Sequence, residues 1–145
     1  ELRTRKMADN ALVDAHIIVN PKISVSEGHY IAETARQAVL RHHHVLDVMV
    51  HIDPEDDAHA KPNIHLPTRD VLLDHLAQRL GEPLLPLTRV VLHYLDGKVD
   101  AELFFEAEPK INHAKMERLV HKLANICTDD VYFRSIQSHL NIAPK

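Results

Sequence analysis

His51-Ile52-Asp53 places an imidazole and a carboxylate two residues apart on a segment that alternates like a strand, so both point to one face. Val48, Val50 and Ile52 take the other face. His16 sits on the corresponding face of an earlier alternating segment. If the two strands share a sheet, three donors share a surface that helices leave bare. His29 falls in the first turn of the helix expected between those strands, well off its apolar stripe. It could reach the group around the sheet's end, or meet it from a second chain. Imidazole nitrogen with carboxylate oxygen suits zinc, with manganese, cobalt, nickel or iron as alternatives. The plainer alternative is solvation, because a histidine on an open strand face is ordinarily just wet. With 13 histidines in 145 residues, three can coincide. There is no Cys-x-x-Cys pair and no His-Glu-x-x-His motif, so on spacing alone both readings stand.

The elements that must position these residues can be read along the chain. Residues 2–6 form a short basic strand, and Asp9-Asn10 marks a turn. Residues 11–19 alternate, with Val13, Ala15, Ile17 and Val19 on one face and Leu12, Asp14, His16 and Ile18 on the other. Ser24-Val25-Ser26-Glu27 is a capping box that opens a helix to about Arg41, with Ile31, Ala35, Ala38 and Val39 as its stripe. A strand at 45–53 carries His51 and Asp53. Pro54, Pro62 and Pro67 then frame a linker over 55–67 with the acidic cluster Glu55-Asp56-Asp57. Thr68 caps a helix striped by Leu73, Leu76, Ala77 and Leu80, and Gly81 closes it. Strands at 87–95 and 98–107 flank Asp96-Gly97, a hairpin turn; a helix at about 113–126 follows, then a strand at 130–137.

The second half reads helix, strand, strand, helix, strand. The first reads the same with its leading helix missing. Val13-Asp14-Ala15 recurs as Val99-Asp100-Ala101, Pro21-Lys22 as Pro109-Lys110, and Asp47-Val48 as Asp130-Val131. A duplicated α+β domain is expected: 1–54, a linker at 55–67, and a second αββαβ repeat at 68–145. This alignment sets Glu102 against His16, and Arg134 and Ile136 against His51 and Asp53. An arginine there would repel a cation, so the second repeat is expected to bind no metal.

Composition narrows the class. A 45% hydrophobic fraction suits a globular domain, and no apolar run approaches the roughly 18 residues of a membrane span. The net charge of −4 and the 4% aromatic content argue against a nucleic-acid partner. Cys127 is the single cysteine, so no intrachain disulfide can form, in keeping with a reducing compartment. The chain opens at Glu1 with a strand already under way and reads as a fragment of a longer protein.

Four runs in order, Leu2-Arg-Thr-Arg-Lys, Val13-Asp-Ala-His16-Ile-Ile-Val, Val25-Ser-Glu-Gly-His29-Tyr-Ile-Ala-Glu33 and Asp47-Val-Met-Val-His51-Ile-Asp-Pro54, resemble the C-terminal cytoplasmic domain of the cation diffusion facilitators. The resemblance covers residues 1–54. It implies a ferredoxin-like or copper-chaperone-like fold, with helices on one face of a small sheet. It also implies His16, His29, His51 and Asp53 as ligands of Zn2+ or another divalent transition metal, at or near the interface of a homodimer. By the same resemblance, such a module is not an enzyme. It senses cytosolic metal at the cytoplasmic face of the membrane and regulates transport by a membrane domain of the same protein. Some members carry a further histidine just upstream of the first run, before the start of this chain.

Two rival readings stand beside this one. A small-molecule-binding regulatory domain of ferredoxin-like fold would want a glycine-rich loop, and the chain has three glycines. A metal-dependent hydrolase would want a general base and oxyanion donors, and none stands out. His42-His43-His44 reads as a solvated helix end in preference to a secondary metal site, Glu55, Asp56, Asp57 and His59 as a solvated acidic linker in preference to a loose cation site, and Cys127 as a small buried or half-buried residue at a helix end.

Overall fold

The computed structural model describes residues 1–56, 58–81, 87–106 and 113–141. In the first half, a turn at Ala8-Asp9 reverses the chain between β1 (Leu2–Met7) and β2 (Asn10–Ile18), which pair antiparallel. Pro21 stops the outgoing chain. Ser24 then caps α1 (Val25–Leu40), its Oγ accepting from the Glu27 N–H at 3.1 Å. The helix returns the chain, so β3 (Val45–Asp53) lies parallel to β2 in the sheet order β1-β2-β3. Packing of α1 onto β3 brings Gly28 against Ile52, where a Cβ would meet Ile52 Cγ2 at 3.4 Å. Arg36 Nε donates to the Val48 carbonyl at 3.1 Å. That contact puts Val48, Val50 and Ile52 under the helix and leaves His51 and Asp53 on the open face.

The second half repeats this topology with a helix in front. The helix α2 (Arg69–Leu80) ends at Gly81, whose φ of 69° makes the left-handed cap. Then come β4 (Leu87–Leu95), β5 (Lys98–Glu106), α3 (His113–Asp129) and β6 (Phe133–Asn141), with β4-β5 antiparallel and β5-β6 parallel. Asp96 and Gly97 both take positive φ, 50° and 72°, as a tight hairpin requires. Leu72, Leu76 and Leu80 of α2, Val99, Ala101, Leu103 and Phe105 of β5, Leu119, Leu123 and Ile126 of α3, and Phe133 form one core. The chain divides into compact units, Glu1–Ala60 and Lys61–Lys145, each a small three-stranded sheet of ferredoxin-like α+β type.

Three expectations shift. The centre of the α2 stripe is Leu72 rather than Leu73. Residues 61–67, read as linker, are laid on the β4–β5 hairpin: Lys61 N–H donates to Asp96 Oδ1 at 2.9 Å, and Gly97 N–H to Asn63 Oδ1 at 2.8 Å. The last strand begins three residues later than expected, because Asp130 Oδ1 accepts from the N–H groups of Tyr132 and Phe133, both at 2.9 Å, and turns Val131-Tyr132 out of the ladder. Pro109-Lys110, Ala107 and Asp57 lie outside the described residues.

The pairing also moves the repeat alignment. Each unit has a two-residue hairpin loop, closed by Met7↔Asn10 or Leu95↔Lys98. Each has an irregularity just after it, between Ala11 and Leu12 or between Val99 and Asp100. Superposing these markers sets Asp14 with Glu102, His16 with Phe104, His51 with His139 and Asp53 with Asn141. Glu102, Arg134 and Ile136 are therefore not the counterparts of His16, His51 and Asp53. Arg134 instead lies beside the irregularity, with its Nε 3.1 Å from Asp100 Oδ1.

Candidate metal centre

Parallel pairing of β2 and β3 sets His16 directly beside His51 on the open face. Their rings stack, with centroids 4.6 Å apart and planes 15° from parallel. Asp53, two residues beyond His51, takes a 2.9 Å hydrogen bond on Oδ2 from His16 Nδ1. A carboxylate only accepts, so the proton of this bond sits on Nδ1. Asp14, two residues before His16, brings Oδ1 to 3.8 Å from His51 Nε2. That oxygen is out of contact with solvent and accepts no hydrogen bond among the described residues. An orphaned carboxylate oxygen beside imidazole nitrogen is costly as it stands and fits a divalent cation.

Of the four expected ligands, the structure gathers His16, His51 and Asp53, and adds Asp14. Asp14 shares the face of His16 in the alternation but was not among the expected ligands. His29 is exposed and lines a different hollow with Val19, Pro21, Gly28, Val50, Ile52 and Pro54, on the helix-covered side. Within one chain it does not join the other three. The distances are those of hydrogen bonds and stacking. Among the described residues of this single chain, no group of three or more His, Cys, Asp or Glu side chains is arranged to hold a metal ion.

The remaining candidates have local roles. His44 takes a φ of 70° and its carbonyl accepts from Ala11 N–H at 2.6 Å, so His42–His44 shape the return from α1 to β3. His59 Nδ1 lies 2.7 Å from Asp56 Oδ2, and this bond holds the Asp56 carboxyl below its ordinary range. Burial pushes the Cys127 thiol up, the wrong direction for a nucleophile.

Comparison with known proteins bears on the same region. A family model described as "Cation efflux protein, cytoplasmic domain" matches residues 1–55. Residues 1–55 are a cytoplasmic domain of the cation efflux protein family. The His16–His51 pair thus lies within the cation efflux domain. Metal tolerance protein C1 of Arabidopsis thaliana is 30% identical over 113 residues, covering 68% of this chain and 24% of that protein. Such a share is more than either unit holds, so the likeness to this relative crosses from the cation efflux domain into the second unit. The Bacillus subtilis (strain 168) protein called Uncharacterized transporter YdbO is 30% identical over 56 residues, covering 39% of this chain and 19% of that protein. The chain therefore spans a quarter or less of the curated relatives it matches. No solved structure gives a significant match. Among the described residues no helix is long and apolar enough to cross a membrane.

Proposed function

We propose that the chain is the metal-sensing and dimerising module of a divalent-cation efflux transporter, that its metal is zinc or a similar transition ion, and that His16, His51 and Asp53 bind it. The observation that carries this is the in-register His16–His51 pair, flanked by Asp53 on one side and the orphaned Asp14 oxygen on the other. Two imidazoles and carboxylate oxygen are a complete donor vocabulary for zinc. Asp53 either enters the coordination sphere or holds His16 in the tautomer that presents Nε2.

His29 completes the reading from a second copy of the chain. It is exposed on the helix side, where a facing subunit could use it. An ion held by the sheet face of one subunit and His29 of another couples metal occupancy to subunit geometry. That is the property a sensor on the cytoplasmic side of a transporter needs, and the transport step itself belongs to a membrane domain. The module carries out no chemistry on a substrate.

Calorimetric zinc titration of residues 1–145 tests this reading. His51→Ala is expected to remove the tighter binding event, and His16→Ala and His29→Ala to weaken it less. Zinc is expected to tighten the dimer in sedimentation, and His29→Ala to abolish that tightening. Unchanged affinity after His51→Ala would reject the site.

A further inference from the structure

The ionised side chains of the first unit are sorted between its two ends. One end holds the β1–β2 hairpin turn and the return from α1 to β3. There Arg5, Lys6 and Arg41 are exposed, and none has a hydrogen-bond or ion-pair partner among the described residues. The backbone gathers them: Arg5 and Lys6 lie across from Leu12 and Ala11, and Ala11 N–H donates to the His44 carbonyl just past the helix cap Arg41. His42, His43 and His44 are exposed in the same return, and each adds a charge when protonated. Asp47 is engaged by Arg36 at 3.2 Å, which leaves Asp9 in the hairpin turn to oppose three cations. The other end carries Glu1, Asp53, Glu55 and Asp56, and Glu27 in the first turn of α1, against Arg3 and Lys22. The chain as a whole has a net charge of −4, so the basic end is a local arrangement rather than a product of composition.

Apolar side chains stand among these cations. Met7, which closes the hairpin, is 56% exposed, and Leu46, which follows the return from α1, is 55% exposed. A single exposed Met or Leu is ordinary. Two of them beside three unpaired cations make the composition of a surface that meets anionic lipid, where attraction to the headgroups and burial of apolar area act together.

We propose that this end of the first unit docks on an anionic bilayer surface, with Arg5, Lys6 and Arg41 against the lipid phosphates and carboxylates and with Met7 and Leu46 entering the headgroup layer. Residues 1–55 are a cytoplasmic domain of a cation efflux family, so a membrane surface is the charged body nearest to hand. The same surface repels the acidic end, which fixes the direction in which the domain stands. His16, His51 and Asp53 lie toward that acidic end of their strands, so docking leaves the candidate metal centre open. Each Lys or Arg near such a surface contributes about fivefold to partitioning, and three give about a hundredfold. The attraction is screened by salt over a Debye length of about 10 Å at 0.1 M.

The inference rests on the family and the charge pattern, not on metal binding, and it is tested without zinc. Residues 1–145 are sedimented with vesicles of equal parts phosphatidylcholine and phosphatidylserine, with vesicles of phosphatidylcholine alone, and are titrated with soluble polyglutamate. The wild-type chain is expected to partition about a hundredfold more strongly to the anionic vesicles. Arg5→Gln, Lys6→Gln and Arg41→Gln are each expected to lower that preference about fivefold, and the three together to abolish it; the single variants keep the test decisive if the triple variant does not fold. Lys22→Gln, at the acidic end, is expected to change nothing. Met7→Ser with Leu46→Ser is expected to weaken binding to anionic vesicles and to leave any binding of polyglutamate as it was. Equal partition to both kinds of vesicle overturns the proposal, and so does a preference that survives the single substitutions. Polyglutamate bound as tightly as the anionic vesicles, and lost on the same substitutions, overturns it in favour of an acidic protein partner.

Discussion

Asp130→Ala should be among the most damaging single changes in the second unit. The Asp130 side chain is 1% exposed and ties the entry to β6 to α2. Its Oδ1 accepts from the N–H groups of Tyr132 and Phe133, both at 2.9 Å, at the entry to β6. Its Oδ2 accepts from His75 Nε2 of α2 at 2.8 Å, with Arg79 Nε at 3.5 Å. Truncation leaves the buried Phe133 N–H without a partner, at about 1–3 kcal/mol. It also removes the acceptor of His75 Nε2 and of Arg79 Nε, which are partly exposed, so a total of about 2–4 kcal/mol is expected. Asn keeps the Oδ1 acceptor but opposes His75 and Arg79 with an amide, so about 1–2 kcal/mol is expected for Asp130→Asn. Burial raises the Asp130 carboxyl, but the hydrogen bonds from Phe133, His75 and Tyr132 together pull it down further, below its ordinary value. A group lowered by folding contributes its full stability above the unfolded value of about 3.9 and loses it as pH falls toward the folded value. The gap between wild type and Asp130→Asn should therefore be complete at pH 5 and smaller at pH 3. Urea unfolding followed by far-ultraviolet dichroism measures both. A loss under about 1 kcal/mol for Asp130→Ala, or a gap that widens from pH 5 to pH 3, would refute the reasoning.

Three other outcomes are expected. Leu76→Ala, at a side chain with no exposure, should cost about 2–5 kcal/mol in urea unfolding and leave zinc binding to the first unit intact. Asp53→Asn should weaken zinc binding by about 10–100-fold in calorimetry without changing the fold, because it unseats the His16 ring. Zinc at a hundredfold excess over its dissociation constant should stabilise the chain by about 2.7 kcal/mol per site, read as a rise in melting temperature. Zinc takes neutral imidazole, so that rise should shrink between pH 7.5 and 5.5; an equal rise at both would count against histidine ligation.

Local chemistry made most of the fold legible. Ser24 and Glu27 bracket a helix start, Asp96-Gly97 permits little but a tight hairpin, and the alternation through Val48, Val50 and Ile52 marks β3 from end to end. Where the reading slipped, tertiary bonds decided. Val131, Tyr132 and Phe133 look like the first residues of a strand, yet Asp130 holds the first two in a turn because its carboxylate is drawn inward by His75 and Arg79 of α2. No pattern within the strand itself reveals a partner some fifty residues away. The candidate site was legible to the same depth. Alternation puts His16, His51 and Asp53 on open faces, but only parallel pairing makes His16 and His51 neighbours, and only the direction of α1 keeps His29 from their side.

The comparison of the repeats shows why short identities are a poor guide to register. Matching Val13-Asp14-Ala15 to Val99-Asp100-Ala101 displaces β5 by two residues relative to the pairing. A shift of two keeps every side chain on its own face, so the apolar alternation raises no objection. It still exchanges the residue that faces His51 for its neighbour, and Glu102 is read as a replaced histidine instead of a retained acid. The hairpin loop and the irregularity beside it cannot slide in this way, because loop length and an extra residue fix which atoms pair. Anchored on them, the second sheet keeps an acid and a histidine at the Asp14 and His51 positions and gains His93 on its edge strand. The units then differ in which strand carries a histidine beside that position, the central strand in one (His16) and the edge strand in the other (His93).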